Sequence, residues 1–315
     1  MNIRNSLFDI NLIGEKDILI VCLGYELRSC ALLDKCLKKV SKENILCFCF
    51  KEYVKNDKTI ELYNSIKDNA TIVSCKYDDY ILVDTIVREF IRSKSYEKIH
   101  IDYSSMPRSW YCRLPKIVWE EIEDGQEGFF WYCEGVYPDS YEEYPNAGYE
   151  DITLFAGKNS FVTSAQRTHV IGVGFDNYRT EAILNELDPS HFIVCLAYDY
   201  NNEEIKNNLR YINRRIIPQA EMTLSFNIND FMMMYSNLIE LSSSLIHNGD
   251  VVFVPDGPKP LIMAMSLVVQ NANVIGLTCL HIHRNNKMFT PVYVDYKNGY
   301  IQGFCVQRDK KDASE

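Results

Sequence analysis

The chain has 315 residues, 47% of them hydrophobic and 24% charged, and its net charge is −10. At roughly 150 residues per domain this is one large domain or two ordinary ones, and the apolar content excludes a disordered, collagen-like or coiled-coil chain. No window approaches roughly 18 uninterrupted apolar residues, and charges interrupt MNIRNSLFDINLIGEKD where a leader would need its apolar stretch, so a cytoplasmic protein without membrane span or secretion signal is expected.

In chain order, the first half reads strand 17–23, helix 29–40, strand 45–50, helix 57–67, strand 71–75, helix 79–93, strand 98–103, helix 109–122 and strand 129–133. Continuous apolar strands such as ILIVCL, separated by helix-length segments, signal βαβ units around a parallel sheet buried on both faces. The stretch 134–160, acidic and rich in Tyr and Pro, reads as a linker. The second half repeats the order with strand 168–173, helix 179–187, strand 191–198, helix 201–213, strand 222–226, helix 229–246, strand 250–254, helix 260–270 and strand 274–280. Two further strands, 291–295 and 299–305, are assigned to this half, and 306–315 reads as a flexible tail.

The charge is unevenly spread. Between Glu120 and Asp151 lie eleven carboxylates and no Lys or Arg, which leaves 33 basic and 32 acidic residues elsewhere, a net of +1. Duplex nucleic acid is disfavoured as a partner, because that needs a basic stripe. The eleven cysteines are odd in number, irregularly spaced and set in apolar runs such as ILCFCF, so they read as small core residues in a reducing compartment. His281 and His283 form an HxH on one face of a strand-like run, with no third ligand in view, and no metal is expected.

The two halves match beyond class. LGYELRS (23–29) follows the first strand of one, and VGFDNYRT (173–180) follows the first strand of the other. SSMPRS (104–109) and PDGPKP (255–260) follow the fourth strands. Gly24 to Pro107 is 83 residues and Gly174 to Pro258 is 84, so the chain reads as α/β with two tandem Rossmann-like units produced by internal duplication: 1–133, the linker 134–160, and 161–305.

In a doubly wound sheet, ligands bind beyond the carboxyl ends of strands one and four, at the switch point. The repeated motifs fall there. The candidate ligand residues are Gly24, Tyr25, Glu26, Arg28, Ser29, Ser105, Met106 and Arg108 in the first unit, and Gly174, Phe175, Asp176, Arg179, Thr180, Asp256, Gly257 and Lys259 in the second. Both loops lead into helix N-termini, which favour anions, and Arg28, Arg108, Arg179 and Lys259 add cations, so a phosphate-bearing ligand is expected. Plainer roles compete: Gly24 and Gly174 for a tight turn, Ser29 and Thr180 as caps, and Arg28 and Arg179 as surface ion pairs with Glu26 and Asp176. Asp102 and Ser104 are candidate catalytic groups, but for Asp102 the favoured role is to hold the loop by accepting its N–H groups. The absence of GxGxxG and of GxxxxGK[ST] argues against classical dinucleotide binding and P-loop hydrolysis, and no cofactor is expected.

Tandem Rossmann-like units with ligand loops LGYELRS and DYSSMPRS resemble the CARF and SAVED sensor domains of prokaryotic antiviral systems, over about residues 17–280. The Gly-Thr-Lys character of the second loop in that family is met only in part, by Asp256-Gly257-Pro258-Lys259. The resemblance implies a nucleotide sensor, binding a cyclic oligonucleotide between two halves, with Arg28, Arg108, Arg179 and Lys259 on phosphates and Ser104, Ser105 and Asp256 on ribose or base. The chain has no room for the effector domain that such proteins carry, so an effector protein is the expected partner. Two other functions remain open: a nucleotide hydrolase or transferase using Asp102 and Ser104, and an interaction scaffold with vestigial pockets.

Overall fold

A computed structural model describes residues 1–50, 57–136, 148–159, 166–272, 274–284 and 295–308. Two compact units emerge, one from Met1–Pro138 with Pro291–Glu315 and the other from Asp139–Thr290. The first opens with β1 (Asn2–Leu7), β2 (Ile18–Leu23), α1 (Ala31–Cys36), β3 (Ile45–Phe50), α2 (Asp57–Ile66) and β4 (Thr71–Cys75). It continues through α3 (Tyr80–Arg92), β5 (Lys98–Asp102), α4 (Arg108–Tyr111), α5 (Leu114–Glu121) and β6 (Glu127–Val136). The second holds β7 (Tyr149–Gly157), β8 (Gln166–Val173), α6 (Asn177–Leu187), β9 (His191–Tyr198), α7 (Glu203–Ile212) and β10 (Met222–Asn227), then α8 (Phe231–Leu245), β11 (Gly249–Pro255), α9 (Lys259–Ala272) and β12 (Leu277–Arg284). The chain then returns to the first unit as β13 (Asp295–Gln307).

The first sheet has the order β1-β13-β6-β5-β2-β3-β4 and the second β10-β9-β8-β11-β12-β7. The strands from β2 to β6 are mutually parallel, as are those from β8 to β12. Numbered within its own unit, each parallel run reads 3-2-1-4-5, the doubly wound order. Each fifth strand carries an antiparallel neighbour: β13 on β6, β7 on β12. The expected duplication is therefore present in the strand order itself.

β2 shows why such a sheet needs continuous apolar strands. All six of its residues are buried. Leu19, Val21 and Leu23 pack into a core with Ala31, Leu32, Leu33 and Cys36 of α1 and Leu62 and Ile66 of α2. Alternation sends Ile18, Ile20 and Cys22 to the other face. In the second unit Ile171 and Val173 pack with Val194, Leu196, Val252, Val254, Ile183 and Leu209. α9 is buried from Pro260 to Val269 without a break, the pattern of a helix apolar all round.

Several elements depart from the sequence reading. The helix expected at 29–40 starts as a 3-10 turn, Leu27–Cys30, and becomes α-helical only over α1. The helix expected at 109–122 is interrupted between α4 and α5, where Pro115 has no N–H to donate and its ring crowds the carbonyl four residues back. β1 and β7 were not foreseen, and β7 lies within the stretch read as a linker. Both are largely exposed edge strands and lack the apolar run that marks a central strand. Of that stretch, 137–147 and 160 lie outside the described residues.

The strands expected at 291–295 and 299–305 were grouped with the second half. The strand found is one, with a register irregularity between Tyr296 and Ile301, and it pairs with β6 and β1. Its fit to β6 is specific: Phe304 stacks on Phe130 at 5.0 Å, and a Cβ on Gly303 would fall 2.2 Å from the Phe130 carbonyl oxygen. Val306 and Gln307, read as tail, belong to this strand, and the rest of the tail beyond Arg308 lies outside the described residues. All eleven cysteines are buried free thiols. Among the described residues no helix is long and apolar enough to cross a membrane.

Candidate functional site

In each unit the loop after strand one meets the loop after strand four. In the first, Ser105 Oγ donates to the Cys22 carbonyl at 2.5 Å, and a Cβ on Gly24 would lie 3.8 Å from that of Ser105. In the second, a Cβ on Gly174 would lie 3.4 Å from the Asp256 carbonyl oxygen and 3.7 Å from the Gly257 Cα. Sequence and topology thus converge on the two switch points.

Arg28 and Arg179 are not surface ion pairs: they are only 4% and 5% exposed. Arg28 grips Glu26 with two bonds, Nε to Oε2 at 2.6 Å and Nη2 to Oε1 at 3.1 Å. Its Nη1 donates to the Tyr132 hydroxyl at 3.2 Å. Arg179 lies between two carboxylates, with Nη1 to Asp176 Oδ2 at 2.6 Å and Nε to Asp256 Oδ1 at 2.7 Å. Burial opposes its charge, yet Asp256 and Asp176 outweigh burial and leave its hold on the proton raised. Asp176 also caps α6, accepting from the Arg179 N–H at 3.1 Å, and Thr180 donates to Asp256 Oδ2 at 2.9 Å. One buried carboxylate, Asp256, thereby ties the fourth-strand loop to the first-strand helix.

The candidate catalytic residues are engaged in holding their loop. Asp102 Oδ1 accepts from the Ser104 N–H at 2.9 Å, and Ser104 Oγ accepts from the Cys133 N–H at 2.8 Å. Both are buried. His100 is committed elsewhere on β5. Its Nδ1 accepts from Trp131 Nε1–H at 3.1 Å, and since that indole can only donate, Nε2 carries the proton and donates to Asp17 Oδ2 at 3.0 Å. Burial keeps this imidazole neutral, lowering its pKa against the pull of Asp17. Burial also raises the Cys133 thiol to about 12, with Asp102 adding to the effect, so no thiolate nucleophile forms there.

Of the remaining candidates, Ser29 and Met106 are buried, while Tyr25, Phe175, Arg108 and Lys259 are partly exposed. Gly257 packs under Val173, where a Cβ would lie 3.1 Å from the Val173 carbonyl oxygen and 3.0 Å from Leu261. Sequence reasoning missed Tyr132, Thr59 and Asn213. Tyr132 stacks on Tyr103 at 5.5 Å while receiving Arg28. Thr59 and Asn213 donate to the carbonyls of Gly24 and Gly174, at 3.2 and 2.9 Å, and thereby pin the two equivalent turns. Only their strand and helix neighbourhoods could have pointed to them; no motif does. Among the described residues no three His, Cys, Asp or Glu side chains converge as metal ligands.

No protein-family model and no curated protein matches the chain. Among solved structures it is similar to a universal stress protein from Archaeoglobus fulgidus DSM 4304, at 10% identity over 87% of this chain and 98% of that one, with a TM-score of 0.25. It is also similar to the cytoplasmic domain of a prokaryotic cation chloride cotransporter, at 11% identity over 86% and 96%, with a TM-score of 0.23. Superpositions this loose assign no family. The Rossmann-like class rests on the strand order and the crossovers of the chain itself.

Proposed function

We propose that the protein binds a small phosphorylated ligand, a nucleotide, at the switch points of its two units, and that it senses this ligand rather than consuming it. The observation that carries the reading is the recurrence of one arrangement: a buried arginine–carboxylate clasp fixing the first loop, with a partly exposed cation, Arg108 or Lys259, on the loop beside it. Arg28 and Arg179 hold the loops, and Arg108 and Lys259 meet phosphate. Sensing is favoured over hydrolysis because Asp102 Oδ1 and Ser104 Oγ each accept from a backbone N–H group and His100 is tied to Asp17 and Trp131. The resemblance to CARF and SAVED domains supplies cyclic oligonucleotides as the first class to screen, and an effector protein as the partner in a defence system.

The test is a thermal-shift and titration screen of mononucleotides, dinucleotides and cyclic oligonucleotides, with mass spectrometry of any ligand that co-purifies. A ligand at 100 times its Kd should add about 2.7 kcal/mol to stability. Replacing Arg108 and Lys259 with Ala should cost roughly 1.5–3 kcal/mol of affinity each. Unchanged affinity in the double variant defeats this assignment. A nucleotide that is consumed, and spared by Asp102→Asn, returns the enzyme reading, and no ligand in either assay favours the scaffold.

A further inference from the structure

Outside the switch points, one pair of side chains is arranged for chemistry that the proposed function does not use. His281 and His283 lie on β12 with Ile282 between them. Alternation sends Ile282 into the core and both imidazoles to the opposite face, where each is partly exposed. β7 runs antiparallel alongside, with Thr153 opposite His281 and Asp151 opposite His283, and directly opposed residues share a face. The ring centroids are 4.3 Å apart with planes at 88°, and Thr153 Oγ1 lies 2.8 Å from His283 Nε2.

We propose that His281 and His283 form a two-imidazole chelate for a late divalent transition metal of the Ni²⁺ and Cu²⁺ class. The spacing supports this. With metal–nitrogen bonds of about 2.1 Å and ring centres about 1.1 Å further out, two imidazoles in cis positions of a square-planar or octahedral ion have centroids about 4.5 Å apart, against about 5.2 Å for a tetrahedral one. The observed 4.3 Å matches the cis arrangement. Perpendicular planes are no obstacle, because an ion on the line where the two planes meet lies in the plane of each ring. With Thr153 accepting from Nε2–H, the His283 lone pair falls on Nδ1, and the same hydrogen bond fixes the ring as outer partners of ligating histidines do. Asp151 places a carboxylate one strand away. Water completes the coordination, and imidazole donors favour these ions over Mg²⁺ or Ca²⁺.

The site also has a defined place in the fold. Phe253 of β11 pairs with Cys279 of β12, so His281 and His283, further along the same strand, approach the edge of the sheet at which Asp256–Lys259 follows β11. The chelate does not depend on the nucleotide reading and is tested without any nucleotide.

The experiment is titration of the full chain with NiCl₂ by calorimetry, beside MgCl₂, for the parent and for His281→Gln, His283→Gln and the double variant, each checked by circular dichroism for an unchanged fold. One Ni²⁺ per chain is expected, with at least a tenfold weakening in each single variant and loss in the double variant. A Cu²⁺ paramagnetic-resonance spectrum should show two coupled nitrogens in the parent and one in each single variant. No Ni²⁺ binding by the parent, or binding retained by the double variant, overturns the proposal.

Discussion

The two switch points solve one problem with different residues. Each must hold the turn after strand one against the loop after strand four, and each uses a buried arginine at the start of the following helix. In the first unit Arg28 closes on its neighbour Glu26 and on the Tyr132 hydroxyl, while the fourth-strand loop is tied separately, through Ser105 to the Cys22 carbonyl and through Ser104 to the Cys133 N–H. In the second, Asp256 takes the place that Ser105 holds in the first, and one carboxylate does both tasks by accepting from Arg179 and Thr180. In the first unit the tie between helix and fourth-strand loop is divided among several residues; in the second it is concentrated in the Asp256 carboxylate. Equivalent substitutions should therefore cost the two units very differently.

The largest contrast is expected between Asp256→Ala and Ser105→Ala. Losing Asp256 removes two buried partners at once and leaves Arg179 with Asp176 alone, which should cost about 3–5 kcal/mol. Ser105→Ala removes one neutral hydrogen bond, worth about 1 kcal/mol. Urea denaturation of both variants measures this, and equal losses would show that the clasps share the load alike. Next in size is the adjacent position, Met106 in one loop and Gly257 in the other. Gly257→Ala meets Val173 and Leu261 at 3.1 and 3.0 Å and should cost roughly 1–3 kcal/mol.

Much of this architecture was legible in sequence because the repeat wrote it twice. The matching Gly24 and Gly174, Arg28 and Arg179, and Pro107 and Pro258 located both switch points, and apolar runs such as ILIVCL and FIVCLAY marked the central strands. What stayed hidden lacked a local signal. NIRNSL of β1 reads as polar because both its faces are mostly exposed. β13 was expected as two strands, 291–295 and 299–305, and nothing local says which sheet it joins; that is decided by Phe304 against Phe130 and by the close approach that Gly303 permits. The ion pairs were foreseen as partners but not as buried ones, since depth depends on strands far away in sequence, such as the β6 residue Tyr132.

Acid should probe the two units through their buried histidines. His169 on β8 has its pKa lowered to about 4 by burial, with Arg167 adding to the effect, and His100 on β5 is lowered mainly by burial. Both are neutral in the fold, so below about pH 6.5 the unfolded chain binds more protons than the native one. Stability is thus fully present above that pH and falls as pH drops toward 4. His169→Gln should flatten the decline for the second unit, and a decline that survives it unchanged would assign the acid sensitivity to other groups.

The smallest expected effect isolates the feature peculiar to the first unit. Tyr132→Phe keeps the stack on Tyr103 and removes only the hydroxyl that receives Arg28 Nη1, at a cost of about 0.5–1.5 kcal/mol. Stability alone would not distinguish loss of that bond from a slight repacking, so the change is made a second time in an Arg28→Met background. If the hydroxyl acts through the guanidinium, the second measurement should be close to zero, because the partner is already gone. If Tyr132→Phe costs the same in both backgrounds, the hydroxyl serves the loop in some other way. The first clasp would then be the Arg28–Glu26 pair alone, and the contrast with the doubly held Arg179 would be sharper still.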